Sequence, residues 1–400
     1  MMRKSFKYSV ITSFLLMQSG FTASANTQID ELAAALDKVK ISGYLNLTAG
    51  TAKKENAFFR AYDTKINATS ETWGGVQIDF KASEKLDFTL LTKFFAESRP
   101  YDDSFGVDLA YLSYKLSDQT KLRGGILRVP LYKDSDYKDT GFAHLWLRTP
   151  ELIYANNKVQ RHTGIEILHD IYLGDGTVQV QAFYGQNEDP RAKAAANNNK
   201  TYTIDDIMGV HATYSIDEHL FKLGATTRTE PGDLSDFTYT DSQGNERLEE
   251  EGYYAGDRQT FYSLGYGFDD GLWKVDAEAI FEITTGGRQD NGKYYASVGY
   301  RFGDITPYVM YQYRETLDDS ERGLNVDTYV ADDEKNTVTR FNLQKSFQQS
   351  ILSIGSRYDI SSNLAFKAQV DSYEHTSTGV NGNTRDIDNL LYSVSLQAVF

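Results

Sequence analysis

The chain has 400 residues, a formal net charge of -15 and no cysteine. Without cysteine there are no disulfide staples, no thiolate nucleophile and no cysteine-bound metal, and a surface this acidic repels the phosphates of nucleic acid. Mean hydropathy is -0.49 and no run of about 18 apolar residues offers a membrane-spanning helix, yet aromatics reach 13%, with 28 Tyr and 22 Phe against 3 Trp.

Residues 1–25 read as a secretory leader. Arg3, Lys4 and Lys7 make a basic start, VITSFLLMQSGF (10–21) is a short apolar core, and Ala23-Ser24-Ala25 is an A-x-A cleavage site. Cleavage after Ala25 removes three bases and no acid, which takes the formal charge from -15 to -18. Residues 26–39 follow as a short periplasmic N-terminal helix, with QIDELAAALDKV (28–39) as the one good helical stretch; Ile29, Leu32, Leu36 and Val39 have heptad spacing, two heptads are too few for a coiled coil, and the helix either lies under the barrel or is a small oligomerising element.

From residue 40 to 400 the period is 2. In VQIDFKA (76–82), Val76, Ile78 and Phe80 oppose Gln77, Asp79 and Lys81. In WKVDAEAIFEI (273–283), Trp273, Val275, Ala277, Ala279, Phe281 and Ile283 oppose Lys274, Asp276, Glu278, Ile280 and Glu282. In LAFKAQVDSY (364–373), Leu364, Phe366, Ala368 and Val370 oppose Lys367, Gln369 and Asp371. A soluble sandwich also alternates. The connections decide against it, because short and long ones take turns. Short connections fall at 83–85, 117–120, 173–176, 217–219, 269–271, 303–304 and 361–363; long ones fall at about 53–68, 97–106, 129–160, 187–204, 230–256, 285–293, 315–349 and 375–389. Short periplasmic turns alternating with long extracellular loops are the pattern of a transmembrane antiparallel β-barrel, here all-β with about sixteen strands. TVTRFNLQKSF (337–347) reads as loop and SILSIGSRYDI (350–360) as strand. Arg228, Arg301 and Arg357 fall on lumen-facing positions.

The chain closes on LYSVSLQAVF. Tyr392, Val394, Leu396, Ala398 and Phe400 share one side of this strand, and Ser393, Ser395, Gln397 and Val399 share the other. A closed barrel has no edge, so this strand must pair with the first. A terminal Phe with apolar residues at alternate preceding positions resembles the assembly signal of Gram-negative outer-membrane barrels, read by the barrel-assembly machinery.

The stretch KLRGGILRVPLYKDSDYKDTGFAHLWLRTPELIYANNKVQR (121–161) is the most distinctive. Pro130 ends a strand because it cannot donate to the ladder. The roughly thirty residues that follow are long enough to imply function, and Tyr132, Tyr137, Phe142, Trp146 and Tyr154 suit a loop packed on a wall better than one in water. The patterns R-x-P-x-Y, S-D-Y-x-D-x-G and W-x-R-x-P are similar to the corresponding segment of the general porin superfamily of Gram-negative bacteria, in its marine gammaproteobacterial type. That resemblance implies a third extracellular loop folded inward over 129–160 as the pore constriction. It further implies an outer-membrane location among lipid and lipopolysaccharide, a homotrimer, no cofactor and passive diffusion of ions and small hydrophilic solutes. The implied constriction residues are Lys133, Asp134, Asp136, Lys138, Asp139, His144, Arg148 and Glu151 on the loop, with Arg123, Arg128 and Arg161 on the wall. Opposed acids and bases across a narrow water-filled gap order dipolar solutes and set ion preference. The wall arginines favour anions and the overall charge favours cations. The acidic stretches 235–251 and 318–322 are either solvated or hold divalent cations that bridge lipopolysaccharide. Two other readings stay open: a substrate-specific channel for anions such as phosphate or dicarboxylates, and a non-conducting structural barrel. No enzyme motif stands out. None of the six His lies in an H-E-x-x-H pattern, no Ser-His pair suggests a lipase, and His375 beside Glu374 is the one candidate for a barrel protease. No metal site is expected.

Overall fold

The computed structural model describes residues 37–55, 62–97, 105–154, 160–189, 202–229, 237–240, 246–249, 258–285, 289–317, 346–378 and 384–400. The first unit, Met1–Lys40, is described only from residue 37; the stretch 28–36 and the leader lie outside the described residues. The second unit, Ile41–Phe400, is the barrel.

Its strands are β1 (Val39–Ala52), β2 (Trp73–Lys81), β3 (Leu86–Phe95), β4 (Phe105–Lys115), β5 (Thr120–Arg128), β6 (Arg161–Leu173), β7 (Gly176–Asp189), β8 (Tyr202–Ile216) and β9 (His219–Thr229). A two-stranded sheet, β10 (Phe237–Thr240) with β11 (Glu246–Glu249), stands apart. The series continues with β12 (Arg258–Asp269), β13 (Trp273–Thr284), β14 (Asn291–Tyr300), β15 (Ile305–Thr316), β16 (Ser346–Ser361), β17 (Leu364–Thr378) and β18 (Thr384–Val399). All but β10 and β11 form one closed antiparallel barrel of sixteen strands.

The ring closes where β1 meets β18, with Leu45 opposite Ala398 and Leu47 opposite Leu396. Gly43 and Phe400 exchange both backbone bonds, at 3.1 and 3.0 Å. The pleat sends successive side chains to opposite faces, and on β18 this leaves Ser393, Ser395 and Gln397 buried and Tyr392, Val394 and Leu396 exposed. That is the inverse of a water-soluble domain, whose buried face is the apolar one. A bilayer wants apolar residues outside and tolerates polar ones within.

Several boundaries differ from the sequence reading. Val39 opens β1 instead of closing a helix, β16 starts at Ser346, and β17 and β18 run on to Thr378 and from Thr384. The polar residues 375–378 and 384–389 stay in the ladder because backbone hydrogen bonds, not hydrophobicity, carry a strand past the membrane edge. Residues 337–345 and most of both acidic stretches lie outside the described residues. Ile280, assigned to the charged face of β13, does lie with Asp276 and Glu278 on the buried face, which is therefore less polar than its neighbours implied.

Candidate functional site

β5 stops at Arg128, and Pro130 follows without an N–H for a ladder. The chain from there to Tyr154 has little regular structure: two 3-10 turns, Ser135–Tyr137 and Gly141–Ala143, and one helical turn, Glu151–Tyr154. Pro150 suits the start of that turn, because it has no N–H to leave unpaired, and its carbonyl accepts from Tyr154 at 2.9 Å.

Of the aromatics of this segment, Tyr132, Trp146 and Tyr154 are buried, Phe142 is half-buried and Tyr137 is exposed. Leu131, Tyr132, Trp146, Ile153 and Tyr154 join one apolar cluster with Ile280 on β13, Tyr295 on β14, Met310 on β15 and Ile351 on β16. Tyr132 stacks on Tyr154 at 4.5 Å, and His144 on Trp146 at 5.4 Å. Tyr62, from the first long connection, belongs to the same cluster. Its ring fills the space a side chain at Gly50 would need, a Cβ there coming within 2.9 Å.

The charges fall into three groups. The first joins three strands to the segment. Lys93 on β3 lies 2.5 Å from Asp139 and 3.1 Å from Asp108 on β4, and Arg128 is 2.5 Å from Asp108. Lys138 meets Asp139 at 3.2 Å. Burial works to raise the Asp139 carboxyl, but Lys138, Lys93 and Arg128 outweigh it and hold it well below the usual carboxylate range. Lys138 has the opposite fate: burial, seconded by Lys93 and Arg128, pushes it down to about 8 against the pull of Asp139. Arg161 donates to the Val107 carbonyl at 2.8 Å.

The second group centres on Lys133, 2.7 Å from Asp134 and 2.8 Å from Asp276 on β13. The Lys133 amide and the Tyr154 hydroxyl both donate to Glu278, at 2.8 and 2.9 Å. Asp134 and Asp276 keep the ammonium protonated above its ordinary range in spite of burial. His144 lies 3.9 Å from Asp134, but burial, aided by Lys367 and Lys133, pushes the imidazole down to about 4.

The third group is a buried joint. Arg148 donates to Glu71 through Nε at 3.0 Å and Nη2 at 2.7 Å, to Ser393 at 2.6 Å, and through Nη1 to Asp371 on β17. Tyr62 donates to Glu71 at 2.9 Å.

Of the remaining predicted residues, Asp136 is exposed, Glu151 opens the helical turn, and Arg123 on β5 pairs with Glu166 on β6 at 2.9 Å. Arg228 is buried on β9, where it donates to Gln259 at 2.9 Å. Arg357 on β16 donates to the carbonyls of Phe142 and His144, at 2.6 and 2.9 Å. Arg301 lies apart, at a short-turn end, gripping Asp269 at 2.6 and 2.8 Å. Sequence reasoning missed Glu71, Lys93, Asp108, Lys367 and Asp371 as site residues. Lys367 and Asp371 carried a signal, as charges in mid-strand on the polar face; Glu71 in its loop carried none. Among the described residues no group of three or more His, Asp or Glu is placed to hold a metal ion. His375 is buried while the adjacent Glu374 points to the exposed face, so the two do not form an acid–histidine pair.

The sequence signature of the Gram-negative porins matches residues 12–379. The chain belongs to that family. As a porin it forms an outer-membrane channel for passive diffusion. Solved structures share its fold at low identity. In-vitro-folded OmpT of Vibrio cholerae, in trimer form, has a TM-score of 0.53 at 11% identity, covering 90% of this chain and 99% of that one. The anion-selective porin of Comamonas acidovorans has a TM-score of 0.55 at 12% identity, covering 90% and 99%. The outer-membrane channel DcaP of Acinetobacter baumannii has a TM-score of 0.53 at 13% identity, covering 90% and 97%. No protein of curated function matches the sequence.

Proposed function

We propose that the segment 129–154 lies across the lumen of this porin and narrows it to the constriction that small hydrophilic solutes cross. One observation supports the reading above all. The segment bonds at once to Asn46 on β1, Glu278 on β13, Gln312 on β15, Gln369 on β17 and Gln397 on β18, all through side chains on the buried face. A loop lying outside a closed ring would meet only the strand ends nearest its own. On this reading the short turns face the periplasm and the leader is cut after Ala25. Three copies assemble, as in the trimeric OmpT form. The barrel is not an enzyme.

The charges divide by exposure. Those of Arg128, Lys133, Asp134 and Arg148 are buried against opposite charge and serve to build the loop. Asp136 is exposed, Arg161 keeps 36% of its side chain open and Arg123, though paired with Glu166, keeps 25%; these three face the permeating ion. The test is single-channel recording of the purified mature protein in a planar bilayer under a KCl gradient. Ohmic steps, grouped in threes, are the expected result, and the reversal potential gives the sign of selectivity. Silence from well-folded protein would overturn the diffusion reading in favour of a plugged barrel.

A further inference from the structure

Lys367 is the fourth residue of β17 and is 0% exposed. Its Nζ lies 2.8 Å from the carbonyl oxygen of Gly141, 2.6 Å from that of His144 and 2.8 Å from that of Trp146. Carbonyl oxygens only accept, so each contact needs its own N–H, and only the ammonium form has three. Among the described residues no carboxylate forms an ion pair with it; Asp359, on the neighbouring strand, is taken by Arg357 at 2.7 Å. Three carbonyl dipoles stand where water would otherwise solvate the charge.

Arg357 adds its bonds to the Phe142 and His144 carbonyls from the same side. Carbonyls of residues 141, 142, 144 and 146 are thus all turned toward cations of the wall. Beyond the 3-10 turn at Gly141–Ala143 this stretch has no regular backbone pairing to fix its path. A ring of backbone carbonyls is also how a protein holds a free monovalent cation. Here the cation is covalently tethered to the barrel.

We propose that Lys367 is the built-in cation of a carbonyl cage. Its charge and N–H donors, more than its carbon chain, set the arc 141–147 and thereby place His144 and Arg148. Lys367 is a positioning residue, and the proposal rests on reading the segment as the constriction. Lys367→Ala then leaves an empty cage and a channel the shape of the lost atoms, which n-propylammonium matches in charge, donors and length. Tetramethylammonium brings the charge without an N–H.

The test is planar-bilayer recording of Lys367→Ala, alone and with each amine. The expected result is a severalfold rise in open-channel noise that n-propylammonium reverses and tetramethylammonium does not. Lys367→Met fills the space without the charge, so it should be as noisy and beyond rescue. A Met or Ala variant as quiet as the wild type, or equal rescue by both amines, would overturn the proposal. If the Ala variant does not fold, the yield of heat-modifiable folded barrel becomes the readout. Recovery with n-propylammonium alone supports the tethered cation, and no recovery, or recovery with both, sinks it. The constriction reading is judged separately. The chain has no cysteine, so Asp136→Cys carries the only thiol; failure of a charged thiol reagent to reduce its current would remove the constriction while leaving the folding-yield rescue to decide on Lys367.

Discussion

Two stretches of the barrel's buried face are furnished differently. On β13 to β16 it presents Ile280, Tyr295, Met310 and Ile351, and the segment 129–154 packs its own apolar residues on them. On β5 to β7, besides the buried Leu127, Leu168 and Phe183, it presents a polar ladder: Arg123 on Glu166, Gln181 donating to Glu166 at 2.7 Å, and Gln179 donating to Asp170 at 2.9 Å. The first is built like the core of a soluble domain, with dry contacts and close packing. The second keeps hydrogen-bonding groups of graded access: Gln179 is exposed, Arg123 and Gln181 are half-buried, and Glu166 is buried. On the proposed constriction reading, holding the loop and passing solutes fall to different strands.

The largest effect should come from the joint that ties the loop to its wall. Arg148→Met strands two buried carboxylates, Glu71 and Asp371, and removing one partner of a buried ionic cluster costs about 3–5 kcal/mol. Urea midpoints read from heat-modifiable mobility measure it; an unchanged midpoint would mean that the acids find water. Next comes the comparison itself. Ile351 is fully buried, so Ile351→Ala should cost about 2–5 kcal/mol, whereas Gln181→Ala on the polar ladder should cost about 1 kcal/mol. Equal losses would erase the distinction between the two stretches.

A pH effect follows from His144. Burial holds the native imidazole at about 4, while in the unfolded chain it titrates near its usual value of about 6.5. Between those values the unfolded state binds more protons, so stability falls as pH falls, by up to about 3 kcal/mol from this group. His144→Asn should flatten the urea-midpoint profile across that window, and a slope unchanged in the variant would assign it to other groups. The smallest change in stability belongs to Asp136→Asn, since the side chain is exposed. Its reversal potential in a KCl gradient should nonetheless move toward anions. No movement would take Asp136 out of the ion path.

The strand rhythm and the seven short connections were readable because the pleat forces a period of 2 whatever the fold. A membrane barrel then puts its short turns at one end and its long loops at the other. The distinctive segment was readable in part: Pro130 with Tyr132, Trp146 and Tyr154 marks a long loop packed against the barrel, while Asp136 and Tyr137 of the same loop stay exposed. Its partners were not. Arg148 meets Glu71 across 77 positions and Asp371 across 223, and no local pattern links residues so far apart. Ile280 shows the same limit from the other side. Alternation gave its face correctly, but not that an apolar residue belongs there as part of the cluster that also holds Ile153 and Trp146.

By itself the sequence determined the class of molecule: alternation, loop lengths and the absence of a helical span leave a strand-built membrane barrel, because covalent geometry and the bilayer both act locally. Only the tertiary structure decided which charges are paired inside the protein and which stay open to water. Lys367 and Asp136 are both single charges in polar surroundings on paper. One is sealed in a carbonyl cage and the other stands in water, because residues 141–146, more than 200 positions away in sequence, fold over the first and leave the second uncovered.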